Sequence, residues 1–132
     1  MIVRNLTEIQ KTPRRVVTEN WESTRLLLNS DNMGFSFHIT TIYAGTVNEM
    51  WYKNHLESVF CLLGRGKLVD TVTEREYEIK PGVIYALDKH DKHVLTAFED
   101  LTLACVFNPP VNGRETHDAD GSYILNDEAI GS

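Results

Sequence analysis

His55 and Glu57 stand two apart in the stretch YKNHLESVF, residues 52–60, just ahead of an apolar run. On an extended strand that spacing puts both side chains on one face. An imidazole and a carboxylate on one face are half of a site for a divalent cation. A metal that keeps an open position for substrate needs about three protein donors. Further donors follow later in the chain, Tyr85 in VIYAL and His93 in the cluster DKHDKH. A phenol is a poor donor when protonated and a good hard one as phenolate, a form that a metal favours. Taken singly, each residue has an ordinary reading. A tyrosine in an apolar strand usually belongs to the core, a charged cluster is usually a solvated turn, and a glutamate beside an apolar run is usually surface.

Such donors must be carried by strands, because no helix period runs far along this chain. Short runs of β-branched and aromatic residues are broken by turn residues. STRLLL reads as a strand and NSDNMG as the turn after it; FSFHITTIY alternates and reads as the next strand. SVFCLL is closed by GRG, and KLVDTVT and REYEIK flank a tight break at Glu74. PG starts VIYAL; HVLTAF and LTLACVF follow, with Glu99–Asp100 as the turn between them. TPRRVVTENWE reads as a loop or a helical turn. Many short strands at fairly even spacing predict an all-β sandwich or barrel. The chain of 132 residues is predicted to form one domain, residues 1–132, with an irregular tail from about residue 108.

Composition narrows the function classes. A net charge of −6 with no basic stripe argues against nucleic acid. There is no long apolar span, so no membrane helix is expected. The basic residues of MIVRNLTEIQKTPRR follow the apolar ones, the reverse of a secretory signal, which makes the cytoplasm the expected compartment. Cys61 and Cys105 lie in apolar runs and read as buried thiols.

The spacing also resembles a known frame. The cupin double-stranded β-barrel, a jelly-roll-like fold, carries two motifs. The first reads G-x-x-x-x-x-H-x-H, three or four residues, E, six residues, G. The second reads G-x-x-x-x-x-P-x-G-x-x-H-x-x-x-N. Gly45, Glu57 and Gly64 fall at the first motif's positions, and Gly82 and His93 at the second's. The first motif's histidines are replaced by Trp51 and Lys53. Asp88, His90 and Ala97 replace the proline, glycine and asparagine of the second. The frame therefore keeps two donors, Glu57 and His93. The third is open between Tyr85, on the strand feeding the turn before His93, and His55, on the face of Glu57.

GFSFH, YKNHLESVFCLLGRGKLVD, PGVIYALDKHDKHVL and CVFNPPVNGRETHDADGSY together resemble the ectoine synthase family of the cupin superfamily, from the amino terminus to about Leu125. The resemblance implies a hydro-lyase that closes N-γ-acetyl-L-2,4-diaminobutyrate to ectoine, a compatible solute made under osmotic stress, with release of water. It implies a homodimer and a metal, Fe(2+) first and Zn(2+) second, on Glu57, Tyr85 and His93. It also implies a pocket lined by Trp21, Arg25, Thr40, Tyr52, Cys105, Phe107, Glu115 and His117. His38 shares a face with Thr40 and joins the substrate-binding set. Arg25 offers a fork for a carboxylate. Tyr52, His55 and Glu115 are the candidates to move the amine proton. Glu115 and His117 lie beyond the prolines, in a tail expected to fold over the barrel mouth. The rival classes are a cupin dioxygenase using iron and a non-catalytic cupin sensor.

Overall fold

The structure, a computed structural model, describes residues 1–113 and 116. Ten strands dominate it. They are β1 (Arg15–Val17), β2 (Trp21–Leu27), β3 (Ser36–Ile42), β4 (Val47–Met50), β5 (Leu56–Leu63), β6 (Gly66–Asp70), β7 (Glu76–Ile79), β8 (Ile84–Leu87), β9 (His93–Ala97) and β10 (Leu101–Asn108). One helical turn, α1 (Leu6–Ile9), precedes them. The strands form two antiparallel sheets, one ordered β1-β2-β3-β10-β5-β8 and the other β4-β9-β6-β7. The core lies between them, with Leu103, Val59 and Ile42 from the first sheet against Leu95, Leu68 and Ile79 from the second. Among the described residues no strand ladder joins the two sheets, so the expected barrel is an open sandwich at its edges. No helix among the described residues is long and apolar enough to cross a membrane.

Alternation decides what faces the core. Along β10, Leu101, Leu103, Cys105 and Phe107 are buried while the residues between them are not. Along β2 the inward set includes Trp21, Ser23 and Arg25, and along β3 it includes Ser36, His38 and Ile42. Gly64, the last glycine of the first frame motif, closes the β5–β6 turn at φ 92°. A side chain there would run into the backbone carbonyl of Asp100, so the turn requires glycine twice over.

Three sequence expectations need correction. TPRRVVTENWE is neither a loop throughout nor a helical turn: it holds β1 and the start of β2, which pair from Arg15↔Thr24 to Val17↔Glu22. KLVDTVT stops being a strand at Asp70, because the Asp70 carboxylate accepts from the Val72 and Thr73 N–H groups and turns the chain. VNEM, outside every predicted strand, is β4 and pairs with β9. The break at Glu74 is as expected, with a positive φ of 63°.

One carboxylate ties the chain start to the site side of the fold. Asp31 accepts from Arg4 at 2.8 and 2.9 Å, from Arg14 at 3.1 Å and from the Leu28 N–H at 2.9 Å. The same turn holds residues 111–112, through Asn29 N–H to the Val111 carbonyl and Asn29 Nδ2 to Asn112 Oδ1. Burial would raise the Asp31 pKa, but the Arg4, Leu28 and Arg14 hydrogen bonds outweigh it and hold it at about 2. A depressed carboxylate contributes stability above its unfolded pKa and loses it as pH falls toward the folded one. Asp31→Asn should therefore lower stability at pH 7 by about 2 kcal/mol, since it leaves the buried Arg14 charge without its partner. Urea unfolding should show the gap from wild type closing between about pH 4 and pH 2. A gap that persists unchanged at pH 2 would assign the loss to something other than the ion pair.

Candidate active site

The inward face of the six-stranded sheet aligns its polar groups by register. Arg25 pairs with His38, His38 with Cys105, Cys105 with Val59 and Val59 with Tyr85, which makes one row across five strands. The neighbouring row runs Ser36, Phe107, Glu57 and Leu87. Glu57 and Tyr85 thus sit in adjacent rows on adjacent strands. Opposite them, on the other sheet, His93 starts β9 and pairs with Met50 of β4 and Asp70 of β6.

A small inner cavity of about 30 Å³, room for one water, lies against this face. Seven of the expected site residues line it: Trp21, Thr40, Tyr52, Glu57, Tyr85, Cys105 and Phe107. The rest of its wall is apolar, with Ile42, Met50, Val59, Leu95 and Leu103. Trp21 and Met50 also line an outer cleft of about 320 Å³ with Glu19, Asn48 and Glu49, so these two side chains stand between cleft and cavity. Neither Trp21 as a partition nor Met50 as its partner was legible in advance. Met50 lies on the strand that sequence reasoning passed over.

Glu57 is buried, and burial pushes its pKa up to about 8, against a hydrogen bond from the Cys105 thiol. Burial first, and then Glu57, hold Cys105 well above the ordinary thiol range, so it remains a thiol. Tyr85 is partly exposed as a residue, yet its phenol end lies deep. Burial, then the Glu57, Cys105 and Cys61 charges, push its pKa well above that of an ordinary tyrosine. His93 is 2% exposed. Its Nδ1 lies 2.8 Å from the Asp91 carbonyl, which can only accept, so Nδ1 carries the proton. Among the described residues its Nε2, which is buried, has no hydrogen-bond partner. Burial lowers the His93 pKa, against the Asp91 backbone hydrogen bond and the Asp91 and Asp70 charges, so the ring is neutral and Nε2 keeps a bare lone pair.

The remaining expected residues lie around this centre. Tyr52 is buried, donates to Met50 Sδ at 3.4 Å, and packs edge-on against Phe107 at 5.2 Å and 6.0 Å from the His93 ring. The His90 ring is bonded to the Tyr52 carbonyl at 2.8 Å, so the DKHDKH turn anchors the Tyr52 loop. His55 is buried with its ring edge-on to Phe107 at 5.8 Å, and it does not line the inner cavity. Arg25 is wholly buried; it donates to the Gly113 carbonyl at 2.8 Å and to Ser23 Oγ at 3.2 Å, beneath the Trp21 ring. His38 is bonded to Ser36 Oγ at 3.0 Å and packs on Phe107 at 5.0 Å, away from the inner cavity. Burial, then the Arg25 and His55 charges, hold it well below the ordinary histidine range. Glu115 and His117 lie outside the described residues.

Among the described residues no group of three His, Cys, Asp or Glu side chains is placed to hold a metal. A Glu57, Tyr85 and His93 set differs in taking a phenol as one donor. The residues fit a cation on chemical grounds. They offer a carboxylate, a phenol and an imidazole whose bare buried Nε2 lacks a partner.

The family model described as Ectoine synthase matches residues 1–127. An L-ectoine synthase from Saccharophagus degradans is 62% identical over 130 residues, 98% of each chain. The crystal structure of ectoine synthase from P. lautus superposes with a TM-score of 0.82 at 49% identity, over 86% of this chain and 81% of that one. A Cupin 2 conserved barrel domain protein from Salinispora arenicola shares the fold, with a TM-score of 0.64 at 17% identity over 81% of this chain and 87% of that one. The sandwich is thus a cupin, and because the likeness in sequence runs through every strand that lines the inner cavity, the chain belongs to the ectoine synthase family of hydro-lyases.

Proposed function

We propose that the chain closes N-γ-acetyl-L-2,4-diaminobutyrate to ectoine with release of water, using a divalent cation, Fe(2+) before Zn(2+), held by Glu57, Tyr85 and His93. Family membership supports the reaction. The bare, buried His93 Nε2 is the observation that supports the cation. When bound, the cation supplies a Lewis acid for the acetamide oxygen. The α-amine nitrogen attacks the acetamide carbon, a C–N bond forms, and the carbonyl oxygen leaves as water with two nitrogen protons. The chain's own part is to fold the substrate so that this attack is intramolecular.

Trp21 and Phe107 offer flat apolar walls to the aliphatic part. Arg25 lies beneath Trp21 to receive the carboxylate. Thr40 and Cys105 complete the polar floor, His38 backs Phe107 from behind it, and His117 would join from the tail. Of the three groups proposed to move the amine proton, Tyr52 lines the inner cavity, His55 backs Phe107, and Glu115 would come from the tail. The apolar wall of Ile42, Val59, Leu95 and Leu103 keeps bulk water from driving the product back. The inner cavity is smaller than the substrate, so Trp21 and Met50 must swing to join it to the outer cleft.

We also propose a homodimer. Ile84, Phe60, Ala104 and Ile39 form one apolar row across the outer face of the six-stranded sheet, and Ile84 and Phe60 are exposed at 64% and 40%. A second copy of the same row is its self-complementary cover. The double substitution Phe60→Lys and Ile84→Lys should give a monomer by sedimentation velocity. A species of unchanged mass would place the contact elsewhere.

Purified protein given iron and N-γ-acetyl-diaminobutyrate should yield a product one water lighter by mass spectrometry. Oxygen uptake instead of water loss would favour a dioxygenase. Tyr85→Phe, which deletes only the oxygen, should lose most of its iron and its turnover together. Wild-type iron content in that variant would remove the phenol from the donor set. For the metal-free protein the raised Glu57 pKa sets a sign. Such a carboxyl stabilises the fold below its unfolded pKa, and that contribution is lost as pH rises toward about 8. Stability of metal-free wild type should therefore fall from about pH 5 to pH 8 relative to Glu57→Gln, measured by denaturant midpoints. Parallel curves for the two would mean that Glu57 is ionised without a cation.

A further inference from the structure

A second cavity, of about 280 Å³, opens between β8 and the β6–β7 hairpin. Its wall includes Tyr85 and His93, two of the proposed donors, and shares no residue with the outer cleft. Three carboxylates, Asp70, Asp88 and Asp91, line it as well. Asp70 is the cross-strand partner of His93, which puts both side chains on one face of the sheet. His93, whose buried Nε2 has no hydrogen-bond partner among the described residues, lines the same cavity as these carboxylates.

We infer that this side cavity is the route by which the divalent cation loads, separate from the cleft that admits substrate. The inference rests on the metal reading above. A hydrated divalent cation arriving through the outer cleft would have to pass Trp21 and Met50 and then an apolar wall. Trp21 and Met50 offer it only an indole and a thioether, poor replacements for its waters, before Glu57 comes within reach. From the β8 side, carboxylate oxygens replace waters stepwise until imidazole and phenol take over. The carboxylates also raise the local cation concentration at the mouth, an effect that salt weakens.

The test is the rate at which metal-free protein takes up Fe(2+) under anaerobic conditions, followed in stopped flow with a chromogenic chelator reporting free iron. Asp70→Asn with Asp88→Asn should slow uptake about tenfold at low ionic strength, with the gap shrinking as salt is added and the final iron content unchanged. Asn at position 70 keeps an oxygen for the Val72 and Thr73 N–H groups. Asp88→Asn alone, at an exposed position, carries the comparison if the double variant loses its fold. Glu19→Gln with Glu49→Gln makes the same change in charge at the outer cleft and should load at the wild-type rate. Equal slowing in both double variants, slowing only in the Glu19 and Glu49 variant, or no change in either would each overturn the side route. Wild-type protein that takes up no iron at equilibrium would instead remove the metal reading, and the route with it.

Discussion

The arrangement depends on the register of β10 between β3 and β5. This strand is central in the six-stranded sheet, and its pairing fixes both polar rows at once: Cys105 against His38 and Val59, Phe107 against Ser36 and Glu57. A slip of one residue would turn Cys105 and Phe107 to the outer face and put Ala104 and Val106 against Glu57. The inward set Leu101, Leu103, Cys105 and Phe107 has more apolar surface than the alternative of Thr102, Ala104 and Val106, so the hydrophobic effect selects the register that assembles the site. The shift between Thr102 and Leu103 takes up the mismatch with β5 before the polar rows begin.

That core is an awkward place for ionisable groups. Glu57, His93, His38, His55 and Arg25 are all buried among apolar side chains. Burial penalises charge, and the fold responds by keeping groups neutral: Glu57 is pushed toward protonation, Tyr85 and Cys105 toward phenol and thiol, His93 and His38 toward free imidazole. Arg25 is bonded to a backbone carbonyl and a hydroxyl oxygen. On the proposed reading, a divalent cation would compensate the carboxylate and phenolate that burial disfavours. Local stability is given up at the centre and recovered at the rim, where Asp31 collects two arginines and a backbone N–H.

Much of this was legible in the sequence. FSFHITTIY and LTLACVF read as strands, with His38 and Thr40 sharing one face and Cys105 and Phe107 another, and β3 and β10 follow that parity; the resemblance to the cupin frame placed Glu57 and His93 together. What was not legible depends on distant partners. β1 is three residues long and is stabilised as a strand by pairing with β2, so its own composition carries little signal. β4 is a half-polar strand of four residues whose pairing with β9 is invisible locally. That Arg25 donates to Ser23 and to a carbonyl 88 residues away could not be read from its neighbours. His55 looked equivalent to Glu57 by parity. It precedes the first residue of β5, so the two-residue rule for a strand does not extend to it, and its ring goes to Phe107 rather than to the cavity.

The altered first motif then has a physical account. In the cupin frame the positions of Trp51 and Lys53 carry imidazoles. Here Trp51 is half-buried and Lys53 exposed, outside the inner cavity, and the ammonium groups of Lys53 and Lys92 lie over the indole ring at 5.0 and 5.5 Å. A cation–π cluster of two lysines on one indole braces the loop against the turn before His93. The loop after β4 has thus exchanged a donor role for a bracing one. It fixes Tyr52 from one side, while His90, at the frame's second-glycine position, fixes it from the other through its carbonyl. Losing two imidazoles leaves the cavity with fewer nitrogen donors and more aromatic wall. On the proposed reading the phenol of β8 replaces them. A donor set of two oxygens and one nitrogen is harder than one rich in histidine. Such a set favours polarising a substrate oxygen over binding a soft ligand, as an elimination of water requires.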